Sequence, residues 1–450
     1  MEDLGYSLTD SPTHSLTATS SGRAAVLGGG WAGLAAAVEL ARAGVAVDVY
    51  EAARELGGRA RRVVVDGITL DNGQHILLGA YRDTLGIIRK AGGDPEQLLL
   101  RLPLELDFPG EFRLRAPLLP APLHLLAGLL VAQGLSRADK FSAIRFMVTM
   151  QLRRFRVEAD CSVTALLATE RQPPAVVRYL WEPLCIAALN TTAADASARI
   201  FLTVLRDAFT GSASDSDLLI PRADLGALFP DLAVRTVENA GGRVRLGLAV
   251  EALEQSADGW TVRSADTVEI YARVACALPP WRTAALLPDS LAQRKAQLEA
   301  LAYEPILTCY LQYPQEVRLP RPMIGLAREI SQWAFDRGQL DGPAGLIAVV
   351  VSASGKLRGH SQAALADAIH AELCGVVPGL PPAQWSRVIT EKRATFRASP
   401  NLERPPPGLL LPGLALAGDF VENGYPATLE GAVRSGVAAA HALLNDPVRD

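Results

Sequence analysis

The chain has 450 residues, more than the ~250–300 at which a single hydrophobic core stops growing, so at least two domains are expected. It is 49% apolar and 20% charged, which excludes a disordered chain, and its formal net charge of −4 gives no electrostatic case for nucleic-acid binding. Five cysteines (161, 185, 276, 309 and 374) are scattered without a C-x-x-C pair, so neither a zinc site nor a redox dithiol is readable and they are expected to be small buried residues.

Residues 1–22 are rich in Ser and Thr and lack a basic start followed by an apolar run, and they read as a disordered leader rather than a secretory signal. Order is predicted from a short strand at 24–27 that stops at glycines, followed by an Ala/Leu-rich helix over 32–43 closed by Gly44. A second strand at 45–50 is apolar on both faces, as a buried parallel strand is. Residues 63–65 and 68–70 flank Asp66-Gly67, a hairpin signal. From about 85 to 225 the pattern is helical, without Gly-punctuated strands and with an arginine-rich face near 151–156. Strands return near 244, at 250–253 and 260–262 around a turn, and at 274–278 before Pro279-Pro280. Antiparallel strands are expected at 306–312, 327–335 and 346–352, a helix at 362–376, a connection at Pro405-Pro406-Pro407, a strand at 414–417 and a closing helix over 427–444. The fold class expected is α/β. A discontinuous Rossmann-like nucleotide domain (residues 23–84, 226–285 and 400–450) carries an inserted, largely helical α+β substrate domain (85–225 and 286–399).

Gly28-Gly29-Gly30-Trp31-Ala32-Gly33 places G-x-G-x-x-G between predicted strand and helix. Gly28 serves the tight turn, Gly30 the approach of a pyrophosphate, and Gly33 the helix–strand contact, while the amides at Trp31 and Ala32 open the helix. Glu51, followed by Ala52, ends the second strand about 20 residues on, where a carboxylate accepts from ribose hydroxyls and repels a 2′-phosphate. Gly57-Gly58-Arg59 is a second glycine pair that a plain dehydrogenase does not need. Near the C-terminus a strand ends in Gly418-Asp419, suited to a polyol hydroxyl, and Ala427-Thr428-Leu429 opens a helix whose amides suit a flavin N1/O2 edge. FAD is therefore the expected cofactor.

This combination resembles the FAD-dependent amine oxidase and carotenoid desaturase superfamily, over essentially the whole chain from residue 23. The resemblance implies that the segment Asp71-Asn72-Gly73-Gln74-His75 lies against the flavin, with contacts at Gly73, Gln74 and His75, and that the backbone near Val250 holds the adenine side. The segments Trp181-Glu182-Pro183-Leu184-Cys185-Ile186-Ala187-Ala188-Leu189-Asn190-Thr191 and Asp215-Ser216-Asp217-Leu218-Leu219-Ile220-Pro221 resemble the squalene-associated branch, the hydroxysqualene dehydroxylases of hopanoid synthesis. That branch implies reduction of an allylic alcohol to squalene by FADH2, a reaction that needs an acid for the leaving hydroxyl.

Glu182 and Asp217 are the candidate acids. Glu182 also reads as a partner for Arg178, Asp217 as a turn or helix cap, and His75 as an alternative proton donor. No metal site is expected. The same fold also serves terpenoid desaturases of the phytoene type, which move hydride in the opposite direction, and non-catalytic prenyl-lipid carriers. The substrate implied is a long-chain isoprenoid. No second nucleotide fingerprint is visible, so the electron donor is a partner or a soluble reduced carrier. The proline-broken apolar stretch 116–135 is shorter than the ~18–20 uninterrupted residues of a membrane span. With Leu123, Leu126, Leu130 and Leu135 roughly on one face, it reads either as a buried helix or as a peripheral contact of a cytoplasmic protein with the inner face of the cytoplasmic membrane.

Overall fold

A computed structural model describes residues 20–447. The first 19 residues of the expected leader lie outside the described residues, and Ser20 already opens the first strand.

The nucleotide domain is built on a parallel sheet. Strand Ser20–Leu27 lies between Val47–Glu51 and Val268–Cys276. Arg243–Leu246 extends one side, and Leu414–Leu416 joins the far edge of Val268–Cys276. The 268–276 strand serves two layers. Its second half pairs in parallel with the first strand, while its first half pairs antiparallel with Gly259–Ser264, which in turn pairs with Val250–Ser256. Helices Trp31–Arg42, Pro230–Asn239 and Leu429–Leu444 accompany the parallel sheet. Trp31–Arg42 and Leu429–Leu444 cross closely enough that a Cβ on Gly436 would meet the Ala32 carbonyl oxygen at 2.1 Å. Apolar residues such as Ala24, Val26, Val47 and Val49 fill that layer completely buried, as a two-sided parallel sheet requires. The Asp66-Gly67 hairpin forms as read. Arg62–Val65 pairs with Ile68–Asp71, and both turn residues have positive φ (51° and 80°), the geometry that matches strand twist.

The second region holds a five-stranded antiparallel sheet in the order Met323–Gly325, Trp333–Asp336, Leu346–Val351, Tyr303–Gln312, Trp385–Phe396, backed by helix Gln362–Cys374. Of the strand expected at 327–335 only the end forms, as Trp333–Asp336; the residues before it make a turn, with Ala327 at φ +42°, that leads back to a strand at Met323–Gly325.

The helical reading of 85–225 also needs correction. Helices do dominate, from Leu123–Val131 through Arg137–Leu152 to Ala198–Phe209. They are interrupted by a hairpin, Glu105–Phe108 with Phe112–Arg115, that turns at Gly110 (φ +77°). Leu99–Leu102 and Leu218–Pro221 lie in the same stretch and form a three-stranded sheet with Leu77–Leu78, which precedes it. Four-residue strands are too short for alternation to outweigh a helical pattern, yet Leu106, Phe108, Phe112 and Leu114 alternate inward as a half-buried hairpin does. Cys185, Cys276 and Cys309 are buried thiols, and Cys161 and Cys374 are half-buried.

Candidate functional site

Two glycine turns meet edge to edge at the end of the parallel sheet. Gly28 has φ +108°, and its N–H donates to the Tyr50 carbonyl at 2.8 Å. A Cβ on Gly33 would lie 2.0 Å from the Gly28 carbonyl oxygen, so Gly33 is the glycine that lets helix Trp31–Arg42 start against the strand. Gly57 and Gly58 have positive φ (101° and 61°). The Gly57 N–H donates to the Gly29 carbonyl at 2.8 Å, and a Cβ on Gly58 would sit 3.1 Å from the Gly30 Cα. The second pair thus exists to let two backbones touch. Gly30 differs, because its own Cβ would find only the Gly58 Cα at 3.9 Å. The space over Gly30 is a cradle that a side chain would enter.

The helix that starts here has no side-chain cap and no acid in its first turn, leaving its amides and positive dipole end for an anion. Trp31 anchors the turn from below. Its indole N–H donates to the Ala60 carbonyl at 3.0 Å and its ring packs on Phe229 at 5.0 Å between centroids.

Glu51 closes one end of the cradle. Its carboxylate accepts from the Gly29 N–H and the Ala53 N–H, each at 2.7 Å. Ala52 is exposed beside it. The Gly247 and Leu248 amides bond the Ala53 and Glu51 carbonyls at 3.0 and 2.9 Å, which brings the start of strand Val250–Ser256 to the same end. The fold therefore gathers Glu51, Ala52 and Val250.

On the other side Arg59 donates to Asp419 at 2.5 Å and to the Ala394 carbonyl at 3.0 Å. Burial disfavours the Arg59 cation, but Asp419 more than compensates and raises its pKa. The Gly418 N–H donates to Ser435 Oγ at 2.7 Å, tying this turn to the closing helix. That helix begins at Leu429 rather than 427. Thr428 is its N-cap and accepts only from the Gly431 N–H, and Ala427 precedes it. Glu430, in the first turn, is fully buried and accepts from Thr84 N–H and Oγ at 2.9 and 2.7 Å, so it caps the neighbouring helix Arg82–Lys90.

Gly73, Gln74 and His75 follow the hairpin. The Gln74 amide oxygen accepts from Arg337 at 3.0 Å. His75 Nδ1 lies 2.8 Å from the Gly73 carbonyl, which places its proton there and leaves Nε2 an acceptor. Burial lowers the His75 pKa. A neutral ring with bare Nε2 accepts protons, and this removes His75 as the donor.

The two candidate acids part company. Glu182 is exposed, without the apolar pocket that would keep it protonated, and Arg178 lies 3.5 Å from Glu111 instead of pairing with it. The proton-donor reading of Glu182 therefore fails on burial. Asp217 is mostly buried beside Arg101 at 3.1 Å. Burial raises its pKa against the pull of Arg101. His124 lies next to it, with Nε2 3.1 Å from Ser216 Oγ and a buried Nδ1 that has no partner among the described residues.

Several residues have roles that the sequence alone did not assign. Asn72 donates to the Arg59 carbonyl and accepts from the Arg61 N–H, fixing the second glycine turn. Buried Arg404 holds the carbonyl of Tyr425 at 2.8 Å and Glu422 at 2.8 Å. Asn190, at φ +48°, ties the helix end to Thr395 Oγ1 at 2.9 Å and to the Ala353 N–H at 2.6 Å, which gives the Leu-Asn-Thr motif a structural role. Tyr303 OH and Thr308 Oγ1 are buried without partners among the described residues. Thr308 is the nearest atom to the space over Gly73, at 3.7 Å.

The donor set fits FAD. It offers an open glycine cradle at an uncapped helix end, carboxylates at Glu51 and Asp419, a buried guanidinium at Arg59, and two orphaned hydroxyls that a ligand would satisfy. A separate apolar pocket in the helical insert is walled by Leu104, Leu106, Leu125, Leu129, Trp181 and Phe209.

The family model for flavin-containing amine oxidoreductases matches residues 31–444. The chain is 30% identical to hydroxysqualene dehydroxylase of Rhodopseudomonas palustris, covering 93% of this chain and 97% of that one. It is 28% identical to the enzyme of that name from Sinorhizobium fredii, with 94% and 98% covered. A 15-cis-phytoene desaturase from an Oncidium hybrid is 25% identical over 94% of this chain and 77% of its own. Among solved structures, a putrescine oxidase triple mutant superposes with TM-score 0.72 at 19% identity, covering 94% and 98%. The resemblance to the squalene-associated branch is borne out by these relatives. The chain belongs to the flavin-containing amine oxidoreductase family and is an FAD-dependent oxidoreductase.

Proposed function

We propose that the protein reduces hydroxysqualene to squalene, within squalene and hopanoid biosynthesis. The observation that carries this reading is the 30% identity, over 93% of this chain, to an enzyme named hydroxysqualene dehydroxylase. The small cavity in the helical insert has only apolar walls, which is compatible with a hydrocarbon path there. The names of the two bacterial relatives support the same substrate.

Reduced FAD, when bound, supplies hydride from N5. The chain's own task is to make the hydroxyl leave. Asp217 would give the allylic oxygen the proton with which it leaves as water, and bound reduced FAD would supply the hydride that replaces it, so that alcohol plus reduced FAD would give alkene, water and oxidised FAD. Burial raises the Asp217 pKa, the direction an acid needs, while Arg101 at 3.1 Å pulls against it. Apolar walls around the reacting carbon would keep out the water that traps such a cation. Gly28, Gly30, Gly58, Arg59, Asp419 and the first amides of the closing helix hold and orient the cofactor.

Turnover in D2O tests the reading, because N5–H exchanges with solvent. One deuterium is expected on the carbon that carried the hydroxyl. Squalene without deuterium at that carbon would refute hydride delivery, and conversion of phytoene by the oxidised protein, with hydroxysqualene untouched, would assign the desaturase reaction instead.

A further inference from the structure

Large apolar side chains are exposed unevenly. Of the eleven exposed among the described residues, eight fall between 118 and 152. Leu118 (92% exposed) and Leu119 precede helix Leu123–Val131, which exposes Leu123, Leu130 and Val131. Helix Arg137–Leu152 exposes Phe141, Val148 and Leu152 (81%), positions seven and four apart that form one stripe. The helices are neighbours, since Lys140 Nζ donates to the Leu130 carbonyl at 3.1 Å. A contiguous apolar face of this kind on a polar-rimmed surface marks an interaction site.

Charge says with what. Residues 112–156 contain eight Lys and Arg against one acid, Asp139, in a chain whose net charge is −4. Asp139 is spent on the Ser136 capping box. Exposed Arg115, Arg137, Arg154 and Arg156 have no acidic partner among the described residues. No described helix is long and apolar enough to cross a membrane. Leu125 and Leu129, on the other side of the first helix, line the apolar pocket. We propose that this two-helix face docks on an anionic lipid bilayer surface, its leucines and Phe141 entering the acyl boundary while the arginines engage headgroup phosphates.

The full-length holoprotein should float with vesicles of phosphatidylcholine mixed with phosphatidylglycerol, more weakly with phosphatidylcholine alone, and less as salt rises. The pair Phe141→Asp and Leu152→Asp should abolish flotation. The pair Arg154→Glu and Arg156→Glu should weaken it at least about 25-fold, at roughly fivefold per basic residue. All four side chains are exposed, so the flavin spectrum and thermal midpoint should not change. If the apolar pair fails to fold, the arginine pair decides. Wild-type protein that never floats, or variants that float equally, would overturn the proposal. A wild-type dimer split by Phe141→Asp, without vesicle binding, would assign the face to a second copy of the chain.

Discussion

Gly30→Ala separates what the fold needs from what the cofactor needs. The Gly30 backbone is at φ −77° and ψ 175°, a conformation open to any residue. A Cβ there would meet only the Gly58 Cα, at 3.9 Å, an ordinary contact. Alanine is a poorer N-cap than glycine by about 0.5–1 kcal/mol, and it restricts the unfolded chain by about 0.4–1 kcal/mol, so the two nearly cancel. Thermal unfolding of the apoprotein should therefore shift by no more than about 2–4 °C. The methyl group occupies the cradle, however, and keeps a pyrophosphate from the helix amides. Losing one charge-assisted hydrogen bond costs about 1.5–3 kcal/mol, which raises the FAD dissociation constant roughly 10- to 100-fold. Fluorescence titration of the apoprotein with FAD measures this, with calorimetry as the fold control. Unchanged FAD affinity in a folded variant would refute the placement of the pyrophosphate over Gly30.

Gly33→Ala and Gly436→Ala should behave oppositely, because their Cβ atoms would lie 2.0 and 2.1 Å from backbone oxygens; each should cost at least about 3 kcal/mol of stability, read by urea unfolding. Asp71 is buried and its pKa is pushed up to about 6, chiefly by desolvation. Its proton is bound more tightly in the folded state, so stability should fall as pH rises from about 4 to 6, by about 3 kcal/mol at most. Asp71→Asn, which keeps an acceptor for the Leu225 N–H, should remove that slope in urea melts across pH. Asp48 has the opposite sign. Burial would raise its pKa, but hydrogen bonds from Arg243, Arg23 and Tyr271 outweigh it and hold it at about 2, so its contribution should vanish only as pH falls from about 4 to 2. For the proposed chemistry, Asp217→Asn should slow single-turnover squalene formation by about 10²–10⁴-fold while Glu182→Gln leaves it unchanged, as rapid quench would show; equal rates for wild type and Asp217→Asn would remove Asp217 as the acid.

The nucleotide end was legible because each of its requirements is local. A positive φ at Gly28, a close approach at Gly33 and a carboxylate ending the second strand all leave residue types at fixed spacing. The Asp66-Gly67 turn was legible for the same reason. What distant chain segments decide was not. Strand Trp385–Phe396 carries the charged run Glu391-Lys392-Arg393 and no clean alternation, and becomes a strand by pairing with Tyr303–Gln312. Arg404 sits in a proline-rich connection whose pattern carries no sign that its guanidinium is buried against Tyr425. Glu182 looked like an acid because Trp181 and Pro183 flank it, yet its own side of the helix faces solvent while Trp181 and Cys185 face the core. Sequence spacing names neighbours along a helix, but which face is buried depends on what packs there.

One anaerobic turnover tests whether the protein reduces hydroxysqualene. The FAD-loaded protein is reduced, mixed with hydroxysqualene, and followed by flavin absorbance and product mass together. One squalene is expected for each flavin reoxidised. Flavin that stays reduced while hydroxysqualene is recovered intact would contradict it.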